Sequence, residues 1–600
     1  MEYLKGLNEA QKQAVLAVDG PLLIVAGAGA GKTKTITHRM AHMICQGILP
    51  HRVLAVTFTN KAAGEMRDRT LSLIGSLPGI SLSRPPMIAT FHSLSVRLLR
   101  ELGEKIGVPR NFVIWDRDDS MRSIKQALKV LEYELEPRKI LSAISREKGR
   151  GVTLEQYREK SQSFFAKNVA AVWDRYEADT VKEHALDFDD LLLKTRALLD
   201  TDARALLQER WSHITIDEYQ DTNAVQYDIA RLLSNSNNIC AVGDLDQCIY
   251  TWRQARLENL LMFERSFPGT QVVMLEQNYR STQTILAAAN GVIEKNQNRH
   301  PKRLYTDNPT GDAIVIAAHM DEVGEARFIA SSVRELLGSG VQAKDIAVLY
   351  RENFLSRTLE EAFIAIGIPY RLLGTRFFDR AEVKDVLSYL RASLNPDSRM
   401  DFTRAAGAPS RGIGKTTLEK LFTSGEDSLP AAARSKISSF RALLASIALA
   451  IEQRKPSETI ALILNASGLE KTLLEGDKED LERLQNIREL VSLAVKYDTL
   501  PPREGIEKLI EEAALMSEQD SLDEKENAVS LMTIHASKGL EFDAVFITGL
   551  EQGLFPSMRD DDTRDPEEDR RLFYVALTRA RNNLYLTYAR SRLKYGSREH

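Results

Sequence analysis

The chain has 600 residues, of which 43% are hydrophobic and 27% are charged, and this length predicts about three to five domains rather than one hydrophobic core. Its formal net charge of −4 argues against a uniformly basic nucleic-acid coat, although it leaves a local binding groove open. The sequence has no apolar run that could span a membrane, no signal peptide at its start, and too few cysteines for a disulfide framework or a zinc site, so we expect a cytoplasmic protein without membrane contact.

Five short runs rich in β-forming residues occupy the first part of the chain, and helical patterns separate them. They lie at residues 22–27, 53–59, 87–90, 214–217 and 239–244. Strands that alternate with helices predict a parallel sheet that is covered on both faces. A long stretch with few strand patterns, roughly residues 108–198, predicts an inserted helical domain.

A second set of strand patterns lies at residues 271–275, 313–318, 345–350, 530–534, 544–550 and 584–589. A helical block at roughly 373–525 interrupts it. The predicted fold class is therefore α/β, with two parallel-sheet lobes that each carry a mainly helical insertion. The predicted boundaries are 1–107 and 199–273 for the first lobe, 108–198 for its insertion, 274–372 and 526–600 for the second lobe, and 373–525 for its insertion.

The segment PLLIVAGAGAGKTKTITHRM, residues 21–40, combines a strand, a loop of small residues and a helix. It meets the P-loop pattern G-x-x-x-x-G-K-[ST], with an alanine in place of the first glycine. Backbone N–H groups of such a loop converge on phosphate oxygens, the lysine reaches the β- and γ-phosphates, and the threonine hydroxyl binds Mg²⁺. A purely structural turn would leave the lysine unexplained. We expect ATP contacts from Ala26, Gly27, Ala28, Gly29, Ala30, Gly31, Lys32, Thr33 and Lys34.

A similar string, RGIGKTTLEK at residues 411–420, does not predict a second nucleotide site. No strand pattern precedes it, and the position five before Gly414 is Pro409. The Gly-Ile-Gly turn can instead offer backbone amides to a DNA phosphate, or it can be an ordinary helix start.

Two adjacent acids, Asp217 and Glu218, follow a strand pattern in HITIDEYQDTN, residues 213–223. For an isolated pair, a solvated strand end is the favoured interpretation. The P-loop changes this interpretation, because in nucleotide-hydrolysing folds an acid at a strand end holds the Mg²⁺ shell and a neighbour activates water. We predict that Asp217 is the metal ligand and Glu218 the general base, a pair that a divalent cation makes tolerable.

Several segments resemble the motifs of superfamily 1 DNA helicases of the UvrD/PcrA/Rep type, in family order and over almost the whole chain. They are LNEAQKQAV (7–15), AGAGAGKT (26–33), VTFTNKAAGEMRDR (56–69), ATFHSL (89–94), DEYQDTN (217–223), VGDLDQCIYTWR (242–253), LEQNYRS (275–281), LMTIHASKGLEFDAVFITGL (531–550), EQGLFP (551–556) and EEDRRLFYVALTRAR (567–581). The resemblance implies two RecA-like lobes with ATP bound between them, each interrupted by a second subdomain.

The resemblance also implies roles around the nucleotide. Gln11 matches the glutamine that reads adenine, and Arg39 and Tyr279 match the pair that packs against the adenine ring. Gln247 matches a γ-phosphate sensor that joins the ATP and DNA sites, and Glu541 matches a ribose contact. Arg280 and Arg579 match the arginines that the second lobe contributes to the nucleotide site. An arginine that reaches the phosphate only when the lobes close couples hydrolysis to their motion. The implied catalytic set is Lys32, Asp217, Glu218, Gln247, Arg280 and Arg579.

A DNA track is implied beside the phosphate sensor. Single strands are held by aromatic side chains that stack on bases, next to groups that bind the backbone. Periodicity alone would place the aromatic residues of IYTWR (249–253) in the core, whereas the resemblance favours DNA contact. The positions implied to contact DNA are Phe58, His92, Phe188, Tyr250, Trp252, Arg253 and Tyr595, the last at the strand-separation junction.

The combined expectation is an ATP- and Mg²⁺-dependent DNA helicase that moves 3′ to 5′ on single-stranded DNA and engages single/double-strand junctions. We expect it to act in DNA repair or replication restart, with accessory proteins of those processes. A translocase that strips proteins from DNA and barely unwinds is a rival that the sequence leaves open. A motor subunit of a helicase–nuclease complex is disfavoured, because no nuclease domain follows the helicase motifs. A small-molecule kinase would need an acceptor pocket, and the sequence reveals none.

Overall fold

The structure is a computed structural model that describes residues 2–75, 84–234, 238–251, 254–373, 378, 380–475, 478–515, 527–556, 565–594 and 597–599. Three residues predicted to contact DNA, Trp252, Arg253 and Tyr595, lie outside these ranges. Within the ranges, no helix has the length and apolar character that a membrane crossing requires.

Fifteen strands are described, most of them in two large sheets. They are β1 (Leu22–Ala26), β2 (Val53–Thr57), β3 (Met87–Thr90), β4 (Val113–Ile114), β5 (Ala185–Leu186), β6 (His213–Ile216), β7 (Ile239–Gly243), β8 (Gln271–Leu275), β9 (Val315–Asp321), β10 (Ile346–Tyr350), β11 (Tyr370–Leu372), β12 (Val529–Thr533), β13 (Phe542–Ile547), β14 (Ala580–Lys594) and β15 (Ser597–Glu599).

The helices of the described ranges connect and cover these strands. They are α1 (Glu9–Leu16), α2 (Lys32–Cys45), α3 (Asn60–Gly75), α4 (Phe91–Leu102), α5 (Arg117–Val130), α6 (Pro137–Gly149), α7 (Leu154–Lys160), α8 (Phe164–Lys182), α9 (Phe188–Leu198), α10 (Ala203–Arg210), α11 (Ala224–Leu233), α12 (Leu257–Leu261), α13 (Phe263–Ser266), α14 (Gln283–Ile293), α15 (Glu322–Gly338), α16 (Ser356–Ala365), α17 (Ala381–Leu394), α18 (Arg399–Gly407), α19 (Lys415–Ser424), α20 (Ala431–Gln453), α21 (Pro456–Ala466), α22 (Leu469–Leu474), α23 (Lys478–Ala494), α24 (Pro502–Leu515) and α25 (Pro566–Leu577).

The first sheet has six parallel strands in the order β3-β2-β6-β7-β1-β8. Every residue of β1, β2, β6 and β7 is buried, as expected for strands that helices cover on both faces. The expectation that residues 271–275 open the second set of strands is wrong. They form β8, which pairs with β1 at the edge of the first sheet, so the predicted boundary at 273/274 cuts through a strand.

The second sheet has the order β11-β12-β10-β13-β14-β15, with β9 paired to β14. Its pairs are parallel except for β14 and β15, which run antiparallel. Buried side chains of both lobes form one hydrophobic cluster, to which Cys248 and Ile249 contribute from the first lobe and Met532 and Val545 from the second. This shared cluster supports the loops at the carboxyl ends of the strands, where ligands bind in such sheets.

The chain divides into two compact units. The sheet unit comprises residues 1–91, 204–375 and 517–600 and contains both large sheets. The helical unit comprises residues 92–203 and 376–516, with β4 and β5 as its only strands in the described ranges. Two apolar clusters form its interior, one of residues 113–185 and one of residues 378–510. Its two segments overlap the insertions predicted at 108–198 and 373–525, and the first segment starts 16 residues before the predicted boundary.

Candidate nucleotide and DNA site

The loop after β1 is shaped by glycines. Gly29 and Gly31 have φ angles of +66° and +76°, in the left-handed region that favours glycine. A Cβ atom on Gly29 would lie 2.6 Å from Nδ2 of Asn278, and one on Gly27 would lie 2.2 Å from Cδ2 of Leu304. Larger residues would therefore push away the segment that follows β8, which packs directly on this loop. The first turn of α2, with Lys32 and Thr33, begins where the loop ends.

The two predicted acids stand at the carboxyl end of β6. The backbone N–H of Asp217 donates to the carbonyl of Val56 (2.8 Å), and that of Glu218 donates to Oδ1 of Asp217 (3.0 Å). Nζ of Lys32 lies 2.7 Å from Oε1 of Glu218. The structure thus brings together the P-loop lysine and the acid pair that the sequence predicts.

The two carboxyl groups have opposite electrostatic settings. Burial and the charge of Glu218 raise the pKa of Asp217 to about 7. Burial alone would raise the pKa of Glu218 as well, but the charges of Lys32 and Lys538 hold it far below its ordinary value. Glu218 is therefore the ionised member at neutral pH, the state that a general base requires.

A magnesium site at this position has to share its ligands with the substrate. No group of three or more His, Cys, Asp and Glu side chains among the described residues could hold a metal ion. Mg²⁺ at nucleotide sites takes only one or two carboxylates and completes its shell with phosphate oxygens and water. Burial and the charge of Glu218 oppose ionisation of the Asp217 carboxyl, and a cation beside that carboxyl would favour its ionised form, so these donors fit the ion.

Of the two arginines predicted from the second lobe, Arg579 contacts the first lobe, whereas the guanidinium of Arg280 bonds residues of the second lobe. NH2 of Arg579 donates to Oε1 of Gln247 (3.5 Å), while its NH1 donates to the carbonyl of Leu540 (3.1 Å). Burial and the nearby charge of Arg280 lower the pKa of Arg579 to about 9, so it still carries its charge at pH 7. Arg280 donates through Nε to Oε2 of Glu541 (2.7 Å).

Glu541 is held between two cations. Its Oε2 accepts from Arg280, and its Oε1 accepts from NH2 of Arg581 (2.6 Å). Burial would raise its pKa, but the two guanidinium groups bring it down to about 2. The carboxylate is therefore ionised and partly exposed, and its contact with a ribose stays a prediction.

Two predicted adenine contacts lie beside the P-loop. Nε2 of Gln11 donates to the carbonyl of Ala30 (3.0 Å), and its Oε1 accepts from the backbone of Asn8 (3.1 Å). Tyr279 is half exposed, and its backbone N–H donates to the carbonyl of Gly29 (3.0 Å). The hydroxyl of Tyr279 accepts from Nδ2 of Asn8 (2.9 Å). Gln11 is buried against the loop and Tyr279 is half exposed beside it, and an adenine contact of either side chain stays a prediction.

The predicted DNA contacts of the sheet unit form an aromatic pair. The rings of Phe58 and Tyr250 are stacked, with centroids 5.0 Å apart and an angle of 19°. Tyr250 is only 7% exposed, its hydroxyl donates to the carbonyl of His535 (3.2 Å), and Nζ of Lys538 lies 5.2 Å from its ring centroid. A contact of Tyr250 with DNA stays a prediction, since in this arrangement its ring is covered. The ring of Tyr250 stacks against the ring of Phe58 and supports it.

In the helical unit, His92 and Phe188 form a second aromatic pair. Their ring centroids are 5.6 Å apart and the rings meet edge to face at 78°. Both side chains are partly exposed, and Phe188 opens α9 directly after its N-cap residue, Asp187. A nucleic-acid contact by this pair stays a prediction.

Comparisons with known proteins agree with this geometry. The UvrD/REP helicase N-terminal domain matches residues 7–268, and the UvrD-like helicase C-terminal domain matches residues 273–591. The chain belongs to the UvrD/REP helicase family. It is 39% identical to the ATP-dependent DNA helicase PcrA of Bacillus subtilis, in an alignment that covers 99% of this chain and 84% of that protein. The corresponding proteins of Leuconostoc citreum and Staphylococcus epidermidis are 39% and 38% identical, over 98% and 99% of this chain and 83% and 84% of theirs. This UvrD/REP family member is an ATP-hydrolysing DNA helicase.

One residue predicted to pack on adenine has another place. Arg39 is 2% exposed, its NH1 donates to the carbonyls of Ala14 (3.1 Å) and Ala17, and its NH2 donates to that of Val18 (3.2 Å). These carbonyls end α1, and a buried cation there satisfies and complements the helix terminus. The prediction for Arg39 is therefore wrong, since a side chain tied down in this way cannot lie on a ring that enters from solvent. The helical period could have indicated this, because Arg39 shares the buried face of α2 with Ile36, Met40 and Met43.

Lys538 is a site residue that the sequence reasoning missed. Its Nζ donates to the carbonyl of Gln247 (2.6 Å), pairs with Asp221 and lies 3.6 Å from Oε2 of Glu218. Burial would lower its pKa, but the carboxylates around it raise the pKa above its ordinary value. The sequence did contain a signal, because Lys538 lies inside a segment that resembles helicases of this family. A lysine in that segment can be assigned a role only when the residues around its ammonium group are known.

Proposed function

We propose that this helicase is a motor that moves 3′ to 5′ along single-stranded DNA and opens duplexes at single/double-strand junctions. It uses ATP with Mg²⁺ and acts in the cytoplasm in DNA repair or replication restart, together with accessory proteins of those processes. Family membership supports the helicase activity. The direction, the biological process and the residue roles are the proposal.

The observation that supports the motor best is the short path between Gln247 and the aromatic pair. Gln247 accepts from Arg579 through its side chain and from Lys538 through its carbonyl, so groups of the second lobe hold it on two sides. Three residues further along the same loop, Tyr250 stacks on Phe58. A movement of Gln247 at the phosphate side would therefore displace the aromatic pair at the DNA side through only a few residues.

The residues of the nucleotide site fit phosphoryl transfer to water. Lys32 and the loop amides bind the phosphates, and Glu218 takes the proton of the attacking water. Thr33 and Asp217 would hold Mg²⁺, which when bound neutralises charge on the phosphate oxygens. Arg280 and Arg579 stabilise the charge that spreads over the transferred group, and Gln247 senses it.

The direction is tested with two partial duplexes that share one sequence, one with a 3′ single-stranded tail and one with a 5′ tail. With ATP and Mg²⁺, we expect the purified chain to open the 3′-tailed duplex faster. The physical basis of any direction is that the two lobes grip the strand unequally as the nucleotide cleft closes and reopens. Faster opening of the 5′-tailed duplex would contradict the proposal. Opening of neither, with a protein block still stripped from single strands, would favour a translocase with little unwinding.

A further inference from the structure

A buried quartet of charges lies behind the γ-phosphate sensor. Asp244 and Asp246 follow β7 and are fully buried. They face Arg299 and Lys302, which come from the segment between α14 and β9. Nζ of Lys302 lies 2.5 Å from Oδ1 of Asp244 and also pairs with Asp246. Arg299 completes the quartet through Nε and NH2, which donate to the two carboxylate oxygens of Asp246 (3.1 and 2.8 Å).

The second oxygen of Asp244 holds the sensor. Nε2 of Gln247 donates to Oδ2 of Asp244 (2.7 Å). A carboxylate that is paired with an ammonium group is ionised and can only accept hydrogen bonds, so Gln247 must turn its NH2 group toward it. The carbonyl oxygen of the same amide then points the other way, where it accepts from NH2 of Arg579 (3.5 Å).

Backbone hydrogen bonds around Asp244 hold its carboxylate in place. Its N–H donates to Oε1 of Gln220 (2.9 Å), and its Oδ1 accepts from the N–H of Asp246 (3.0 Å). Burial would raise the pKa of Asp244, but Lys302 first and Lys32 second bring it below its ordinary value. Lys302 is thus the nearest cation that keeps this buried carboxyl ionised.

We propose that Lys302 is a positioning residue that fixes the side-chain amide of Gln247 through Asp244, so that the amide oxygen faces Arg579. Lys302 lies outside every segment that carries the helicase resemblance, and it acts only through Asp244. The proposal rests on the role of Gln247 as sensor that is proposed above. It makes the second lobe, which supplies both Lys302 and Arg579, the element that sets the sensor's orientation from two sides.

The consequence of removing the ammonium group follows from hydrogen-bond chemistry. In Lys302→Met, the buried Asp244 carboxyl loses its nearest cation, and we expect it to take up a proton and become a donor to Gln247. The amide then turns over, and its NH2 group faces the N–H groups of Arg579. We expect kcat for ATP hydrolysis with saturating single-stranded DNA to fall about tenfold, the size expected for one lost hydrogen bond at the reacting centre. KM for ATP stays within about threefold, because the P-loop is unchanged.

Two further variants separate this role from general stabilisation. Lys302→Arg keeps a cation beside Asp244 and should recover most of the lost kcat. Arg303→Met removes the adjacent cation, whose side chain is 84% exposed, and should leave both constants at the parent values.

A charge-matched pair of variants keeps the proposal testable even if Lys302→Met does not fold. In Asp244→Asn, the retained Lys302 attracts the amide oxygen of the new side chain, which turns its NH2 group to Gln247 and reverses the sensor. In the double variant Asp244→Asn/Lys302→Met, one positive and one negative charge are lost together, and the new amide is free to present its oxygen to Gln247. We therefore expect the double variant to have a higher kcat than Asp244→Asn alone.

The kcat values of these variants decide between the proposal and its failure. A lower kcat in Lys302→Met or Asp244→Asn, with recovery in Lys302→Arg and in the double variant, supports the proposal. A folded Lys302→Met with the parent kcat, or a double variant no better than Asp244→Asn, overturns it. A parent protein whose hydrolysis single-stranded DNA does not stimulate would contradict the proposed motor function and this inference together, whereas a stimulated parent with unaffected variants contradicts the inference alone.

Discussion

Glu218 occupies a backbone conformation that an L-residue rarely adopts, with a φ angle of +51°. Such a conformation costs on the order of 1–3 kcal/mol and persists only where the surroundings impose it. Here the N–H group of Glu218 donates to Asp217, and its carboxylate reaches Lys32 and Nε2 of Gln220 (2.5 Å). The turn therefore aims the carboxylate into the nucleotide site, which is consistent with a role for Glu218 in the reaction.

This placement predicts the behaviour of Glu218→Gln. The amide cannot take a proton from water, so turnover should fall by about 10²- to 10⁴-fold, whereas affinities for ATP and DNA should be retained. Steady-state hydrolysis and equilibrium binding of a fluorescent nucleotide and a labelled oligonucleotide measure the two effects. Glu209→Gln, at an exposed position of α10, is the matched control. Turnover within a few-fold of the parent would show that Glu218 is not the base.

The proximity of site residues was predictable from sequence where a motif demands one chemistry. Lys32 lies beside Glu218, and Glu218 beside Asp217, as expected for a P-loop lysine and acids at the end of a neighbouring strand, whereas their roles stay predictions. Arg39 was misplaced, because an arginine serves a helix end as well as it serves a ligand. Which of these uses applies depends on neighbours that are distant in sequence.

At the level of elements, the buried strands of both sheets were predicted to within a few residues, since continuous apolar runs between turns leave little choice. The assignment of β8 failed for a physical reason. A strand's own residues report that it is extended but not which strand it pairs with, and β8 pairs with β1 rather than with a strand of the second sheet. The short strands β4, β5 and β11 have two or three residues each, too few for an alternation of apolar and polar residues to be recognised in the sequence.

Among the helices, the end of α8 gives a prediction about pH. Glu183 caps this helix, and its carboxyl is buried near Asp401, Arg399 and Asp179, with a backbone hydrogen bond from Met400. Burial, with a contribution from the two aspartates, raises its pKa from 4.5 to about 7. The folded state therefore holds a proton that the unfolded state releases above pH 4.5, so stability is lost as pH rises through this window and levels off above pH 7.

Glu183→Gln should remove this loss. At pH 8 the variant should be more stable than the parent by on the order of 2 kcal/mol, because a neutral amide needs no buried charge. At pH 5, where Glu183 of the folded parent is protonated, the two should be nearly equal. Thermal unfolding followed at both pH values measures the difference, with Glu159→Gln at an exposed position as control. Equal midpoints at pH 8 would contradict the buried, protonated state of Glu183.

At the scale of the whole chain, the plan of two interrupted α/β lobes was predictable, because strand patterns cluster in two sets with helical stretches inside each. The grouping of both helical stretches into one compact unit was not, since it depends on contacts between segments that 172 residues (204–375) separate along the chain. These contacts include ion pairs from Lys384 and Arg391 to Asp116 and Asp119. Charged residues in surface-like patterns give no sign that they will be buried together.

The two lobes couple nucleotide hydrolysis to DNA binding in the function proposed here. Gln247 shares one loop with Tyr250, which stacks on Phe58, so ATP hydrolysis should be slow without nucleic acid and rise strongly with single-stranded DNA. Trp252 follows Tyr250 by two positions in the sequence and lies outside the described residues, and its resemblance to a base-stacking position predicts a direct DNA contact. A stacked base contributes about 1–3 kcal/mol, so Trp252→Ala should raise the oligonucleotide concentration for half-maximal stimulation about 5- to 150-fold. Hydrolysis without DNA should not change, and Phe354→Ala, at a partly exposed aromatic of the sheet unit, should behave like the parent. An unchanged oligonucleotide requirement in Trp252→Ala would mean that Trp252 packs in the core and that another group holds the strand beside the sensor.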